Sequence, residues 1–292
     1  YISPPTEAAL LAARAAHPLA QVVAGCTDVG LWVTKQHRQF AQVLDVTQAA
    51  ELRRIEEGAG HLRIGAAVTL ADAFGALQQH WPDALRFAAR FAGLPVRNSG
   101  TLGGNVANGS PIGDSMPLLI ALRALVELGS VRGTRELALE DLYTGYRQNV
   151  MAADELLLRI HVPLPQPNER LRAYKVSKRF DDDISAVCLV FNLTLEQGEV
   201  RAASIGAGGV AATPARARAA EAALVGQPWS EATVQAAAAA LQAEFDPISD
   251  MRASSAYRRA MLAALPQRFW LETQGGAPAS LDLLALEAGE LE

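Results

Sequence analysis

Apolar positions recur along this chain with a period that switches between helical and strand-like, and the switches predict the elements. An apolar stripe over residues 7–16, opened by Thr6 and stopped before Pro18, predicts a helix capped by Thr6. The run QVVAG at 21–25 reads as a buried strand; a short helix from Thr27 and a strand over 42–46 complete a small α/β unit. LRIGAAV at 62–68 predicts a further strand. Thr69 with Asp72 resembles a capping box for an Ala-rich helical stretch that reaches Phe91 and breaks at Gly93 and Pro95.

Residues 94–117 hold five glycines and three prolines and predict an irregular binding loop, followed by an apolar helix over 116–125. Short strands then lead to LLLRIHVPLP at 156–165, and PLPQPNE reads as a linker. From 186 a period of two places Val187, Leu189, Phe191, Leu193 and Leu195 on one face, with a turn at Gln197-Gly198 and a second strand, hence a hairpin. Three helical stretches follow Pro214, one capped by Ser230 with Val234, Ala237, Ala238, Leu241 and Phe245 on a stripe, another around 257–265. The expected fold class is α+β: a two-part α/β domain over 1–165, an antiparallel sheet with a helical layer over 169–274, and a loosely held tail over 275–292.

Composition narrows the function classes. The 292 residues are 50% hydrophobic and 20% charged, a globular balance, and a net charge of -5 argues against nucleic acid as the main partner. No apolar run reaches membrane-spanning length and the start lacks the order of a signal peptide, so a cytoplasmic location is expected. Cys26 and Cys188 are the two cysteines, too few and too separated for a disulfide framework or a cluster site. The histidines show no metal-ligand spacing, so no metal site is expected. A first residue that is Tyr1 rather than Met suggests a piece of a longer polypeptide.

Chemistry concentrates in AGCTDVG at 24–30 and TLGGN at 101–105. Glycine lets backbone approach a ligand closely, successive N–H groups form an anion nest, and a strand, Gly turn and helix start add the helix dipole. Neither loop fits GxGxxG or GxxxxGK[ST], so an ordinary dinucleotide or P-loop site lacks support, and each loop taken alone reads first as a tight turn with close packing. Asp114 is placed to cap an apolar helix, Phe91 and Leu157 read as core, and Lys175, Lys178 and Arg179 beside Asp181, Asp182 and Asp183 read as a solvated charge run.

AGCTDVG, TLGGNVANGSPIGDSMP and YKVSKRFDDDI, in that order, resemble the flavin signatures of the molybdenum hydroxylase flavoprotein family, and SPIGD is similar to its xanthine dehydrogenase branch. The resemblance implies a PCMH-type FAD-binding domain followed by a carbon monoxide dehydrogenase flavoprotein C-terminal-like domain. By motif, Val22, Val23, Ala24, Gly25, Cys26, Thr27, Asp28 and Val29 would wrap the pyrophosphate of FAD, with Cys26 standing where Gly or Asn is common. Thr101, Leu102, Gly103, Gly104 and Asn105 would form a second wall. Phe91, Asp114, Leu157 and Lys175 would also contact the cofactor. Asp182 and Ile184, with Arg179 beside them, would face the flavin where NAD+ docks. Electrons would come from 2Fe-2S clusters, preceding in the same polypeptide or on a separate subunit, and ultimately from purine hydroxylation at a molybdenum cofactor on a large partner subunit. A flavin subunit acting with carbon monoxide, nicotinate or aromatic-thioester partners, and a non-catalytic nucleotide-binding assembly module, are the competing expectations.

Overall fold

A computed structural model describes residues 1–180 and 182–274; the expected tail and Asp181 of the acidic run lie outside the described residues. Helix α1 (Glu7–Ala16) starts where Thr6 accepts a hydrogen bond from the Ala9 amide, as its sequence predicts. Strand β1 (Gln21–Val23) leads through a tight turn into helix α2 (Val29–Gln36) and strand β2 (Val43–Asp45), which pairs in parallel with β1. The helix begins two residues later than Thr27 because 24–28 forms a turn, with Cys26 in the left-handed region at φ 59°.

Strands β3 (Ile55–Gly58) and β4 (His61–Gly65) form a hairpin, and Thr69 then caps helix α3 (Leu70–His80) by accepting from the Asp72 amide. The single helical stretch expected up to Phe91 is two helices. Trp81 and Pro82 divide α3 from α4 (Ala84–Ala89), since proline cannot continue a helical hydrogen-bond ladder.

Residues 94–117 differ from the irregular loop that their glycines predict. They hold helices α5 (Leu94–Ser99), α6 (Leu102–Asn108) and the start of α7 (Ser115–Ala121), leaving 109–114 as the loop. Pro95 sits in the first turn of α5, where its missing N–H costs nothing, and Thr101 caps α6 by accepting from the Gly104 amide. The α7 helix ends at Ala121, and strand β5 (Leu125–Ser130) takes the last of its expected residues.

Strands β6 (Gly133–Ala138), β7 (Tyr143–Gly145), β8 (Gln148–Asn149) and β9 (Leu156–Pro163) follow. The sheet order β3-β4-β9-β5-β6 is antiparallel throughout and brings β4 beside β9, some ninety residues later in the chain. A second antiparallel sheet runs β10 (Glu169–Val176), β11 (Val187–Glu196), β12 (Glu199–Gly208) and β13 (Ala215–Arg216). Gln197 and Gly198, at φ 51° and 78°, make the tight β11–β12 turn, a conformation glycine adopts freely. Helices α8 (Arg218–Leu224), α9 (Glu231–Glu244) and α10 (Ser255–Thr273) complete the described chain, so the fold class is α+β.

Two hydrophobic cores result. The first joins α1, α3, α7 and the five-stranded sheet; the second joins Leu189, Phe191 and Leu193 of β11 to Leu241 of α9 and Phe269 of α10. Strand β11 was expected to bury one face and instead buries both: Val187, Leu189, Phe191 and Leu193 enter the second core, while Cys188 and Val190 enter the first. The cause is α7, all seven residues of which are buried against β11 and β12. A Cβ on Gly206 would lie 1.9 Å from the Pro117 carbonyl oxygen, so glycine is what allows the close approach.

Candidate functional site

The β1–α2 turn, α5 and α6 come together because of glycine. A Cβ on Gly25 would fall 1.8 Å from the Ser99 carbonyl oxygen, and one on Gly103 would fall 2.4 Å from Ala66 Cβ. These two glycines therefore serve chain-to-chain packing. Gly104 is exposed, and a Cβ there would meet Thr101 Oγ1 at 2.8 Å. Asn108 Nδ2 donates to Asp28 Oδ2 at 3.0 Å and ties the end of α6 to the turn.

These segments wall a cleft of about 710 Å³. Val22, Ala24, Gly25, Cys26, Thr27, Asp28 and Val29 line one side of it. Thr101, Gly103, Gly104 and Asn105 line another, and Leu157 with Met151 a third. Val23 and Leu102 are buried behind these walls.

The two glycine loops differ in their hydrogen bonds. Among the described residues the amides of Gly25, Cys26, Thr27 and Asp28 donate to no acceptor. Cys26 is in the left-handed region and Asp28 in the helical region, and successive undonated amides in such a turn suit an anion-binding nest. In α6 every first-turn amide is occupied: Leu102 donates to Val68 O, Gly103 to Ala66 O, Gly104 to Thr101 Oγ1 and Asn105 to Thr101 O. The nest thus belongs to 25–28, and TLGGN supplies a wall.

The cleft is cationic at its rim. Arg14, Arg38 and Arg147 line it, and Arg14 Nε has no partner among the described residues. Glu155 also lines it, but bidentate donation from Arg135 at 2.8 Å holds its carboxyl down to about 2. That carboxylate accepts from the Ala152 amide at 2.7 Å and fixes the 152–155 turn. Sequence reasoning missed Arg38, Arg147 and Trp32, which lie outside the glycine motifs; only the fold carries them to the cleft.

The remaining candidates lie beyond the residues lining the cleft. Lys175 Nζ donates to Asp114 Oδ2 at 2.8 Å, and Ser185 Oγ donates to Asp114 Oδ1 at 2.6 Å. Lys175 and Asp114 are 8% and 5% exposed, so this is a buried pair at the seam between the two cores, and Asp114, which has no side-chain capping bond to α7, faces it. Burial raises the neighbouring Cys188 thiol well above its ordinary range, so it stays protonated.

Phe91 is buried against Phe74, ring centroids 5.1 Å apart. On the next turn of chain, the position of a Gly93 Cβ lies 3.5 Å from Asp182 Oδ2, and Ala92 and Asp182 are both left-handed at φ 48° and 44°. Arg90 holds this seam: its guanidinium donates to Phe180 O, Lys175 O and Ser177 Oγ. Ile184 is 46% exposed, and Arg179 is exposed beside Asp183, whose carboxyl is held below its ordinary range by the Arg179 amide.

Three ligand-type side chains that sequence spacing does not reveal meet on the five-stranded sheet. His161 on β9 lies 2.9 Å from Glu127 on β5 and 3.6 Å from Glu136 on β6. Arg159 pairs with the same Glu127, so the group reads as one ladder of charges across three strands.

Residues 1–165 match the family model described as FAD binding domain in molybdopterin dehydrogenase, and residues 172–273 match that of the CO dehydrogenase flavoprotein C-terminal domain. The chain is 32% identical over 285 residues to the xanthine dehydrogenase of Drosophila subobscura, covering 91% of this chain and 21% of that protein. It thus spans about a fifth of the length of that relative. It is 29% identical to a xanthine dehydrogenase FAD-binding subunit of Escherichia coli O157:H7, covering 91% of this chain and 92% of that one. Among solved structures, carbon monoxide dehydrogenase of Hydrogenophaga pseudoflava superposes with a TM-score of 0.87 at 28% identity, over 92% of this chain and 94% of that one. Quinoline 2-oxidoreductase of Pseudomonas putida 86 gives 0.85 at 26% identity, over 95% and 97%. With both matched regions in sequence order and a nest and cleft at the loops the first one contains, the chain belongs to the FAD-binding flavoproteins of the molybdopterin dehydrogenase family.

Proposed function

We propose that this chain is the FAD-binding electron-transfer module of a xanthine dehydrogenase, working in the cytoplasm within a larger hetero-oligomer. It comprises an FAD-binding domain over 1–165 and a C-terminal domain over 169–274. The observation that carries the reading is the set of undonated amides at 25–28 inside a cleft of dinucleotide size. Bound FAD supplies a carrier that accepts electrons singly and passes them on as a hydride.

The chain's own residues bind, orient and tune. The amides of Gly25 to Asp28 hold the diphosphate, aided by the positive end of α2. Apolar Leu157 and Met151 keep water from the far side of the cleft. Asp182, held near Gly93, and the exposed Ile184 form the side at which NAD+ docks, and Asp114 with Lys175 steadies the seam behind them. No residue of this chain is required to move a proton. The molybdenum cofactor and 2Fe-2S clusters reside on partner segments that take purines as substrate.

A second reading is favoured by the superposition on carbon monoxide dehydrogenase: the same module serving a different hydroxylating partner, on carbon monoxide, nicotinate or an aromatic thioester. The assembled complex decides between them. Purified with its partners, it should bleach its flavin spectrum with NADH and reduce NAD+ when given xanthine. Reduction by carbon monoxide and not xanthine establishes the second reading, and a colourless complex defeats both. In the same assay Asp182→Ala should keep its FAD content while NAD+ reduction slows.

A further inference from the structure

One part of the cleft wall has no role in the account above. Helix α2 buries none of its residues, although it carries Leu31, Trp32 and Val33. Of the four tryptophans in the chain, Trp32 lines the cleft, and it is half-buried there. His37 turns the chain through a left-handed residue at φ 55°, and the Arg38 amide donates to Trp32 O at 3.0 Å. This fold-back lays the Arg38 guanidinium over the indole, 5.3 Å from its centroid. A cation over one face of an aromatic ring fixes the ring and leaves its other face for stacking.

The fold sets an order along the site. Gly93 abuts Asp182 at one end; α5, six residues and thus about 9 Å long, leads from there to Gly100. A Gly100 Cβ would lie 3.3 Å from Thr27 Oγ1, so that end of α5 meets the amide nest. Trp32 lies one helical turn past the nest and is the aromatic side chain among the residues lining the cleft, a set that does not include Asp182. A dinucleotide whose diphosphate sits at 25–28 and whose flavin points towards Asp182 leaves its adenosine in the cleft beside the nest, where Trp32 is the aromatic wall.

We propose that Trp32, backed by Arg38, is the platform on which the adenine of the dinucleotide stacks, and that this pair makes the chain select FAD over flavin mononucleotide. The inference rests on the FAD reading above. An indole offers the widest π face of any side chain, a purine ring matches it, and the cationic rim suits the adjoining diphosphate.

The test uses the full chain, freed of flavin by mild chaotrope and titrated with FAD, ADP and flavin mononucleotide while tryptophan emission and binding heat are read. FAD and ADP should quench the emission. Trp32→Ala should weaken FAD and ADP by roughly 5- to 100-fold, the range of base–aromatic stacking, with flavin mononucleotide affinity and melting temperature unchanged. Trp32→Phe should retain most of the ADP affinity, and Arg38→Ala should lower it in the same direction. Equal weakening of FAD and flavin mononucleotide in Trp32→Ala, or ADP affinity that survives it, overturns the platform. Wild-type chain that binds both flavins and ignores ADP overturns it too while leaving flavin binding intact. Failure to bind any of the three refutes the FAD reading itself.

Discussion

The turn at 25–28, expected to wrap a pyrophosphate, and the helix start at 102–105, expected to form a second wall, both contain glycine and face one cleft. Their hydrogen bonds divide them. Four amides of the first donate to nothing among the described residues, whereas the four of the second are taken by Val68, Ala66 and Thr101. Glycine is a marker of close approach, and the structure separates approach to another chain segment, at Gly25 and Gly103, from openness towards a ligand, at Gly104. Composition cannot distinguish the two, since both need the absence of a Cβ.

That contrast can be broken most forcefully at the packing glycines. Gly25→Ala and Gly103→Ala would push a methyl into the Ser99 carbonyl or Ala66, where the surroundings are backbone or already packed. Each should cost roughly 1–3 kcal/mol or more in denaturant unfolding, with or without FAD. Native-like stability in either variant would show that the close approach to Ser99 or to Ala66 is not needed by the fold.

Gly104→Val probes the open glycine. Its Cβ would meet Thr101 Oγ1, and turning that side chain aside gives up the α6 cap, about 1 kcal/mol, so the fold should survive with a slightly lowered melting temperature. FAD content after purification should fall to a small fraction. Full FAD occupancy in that variant would remove Gly104 from the binding wall.

Thr101→Ala sharpens the comparison from the other side by releasing the Gly104 amide, making α6 resemble the 25–28 turn. Loss of the cap should cost about 1 kcal/mol of stability. If FAD affinity rises as stability falls, the cap had been withholding a usable donor; unchanged affinity confines diphosphate binding to 25–28.

The smallest effect is expected at Cys26, a non-glycine residue held at φ 59°. Cys26→Gly relieves a left-handed strain of about 1 kcal/mol and should raise the melting temperature by a few degrees with FAD content unchanged. Gly and Asn, the residues the family resemblance leads one to expect there, both tolerate the left-handed conformation. A drop in stability on that substitution would mean the turn is unstrained.

Much of this molecule is legible in its residues. Thr6, Thr69 and Ser230 announce helix starts because a cap needs only a local oxygen and an amide two or three residues on. The Gln197-Gly198 hairpin is equally local, since turn type follows from which residues accept positive φ. The β1–α2 turn was legible as a turn for the same reason. Helix α2, however, began after Asp28, and the glycine-rich stretch at 94–117 became helices because capping and packing outweigh weak propensity.

Long-range placement was decided by the tertiary structure. Nothing within GYRQN or LWVTKQHR tells that Arg147 and Trp32 share a cleft, because the spacing between them is set by sheets that join β4 to β9. Burial of both faces of β11 likewise depended on α7 arriving from seventy residues earlier. The partner of Lys175 is Asp114, 61 residues away, rather than an acid in its own charge run. Sequence alone therefore determined the caps, turns and periodic faces, all of which are short-range preferences of the backbone. Which amides stay free, which glycines pack and which cations meet the cleft were settled only when distant segments competed for the same space and the same hydrogen bonds.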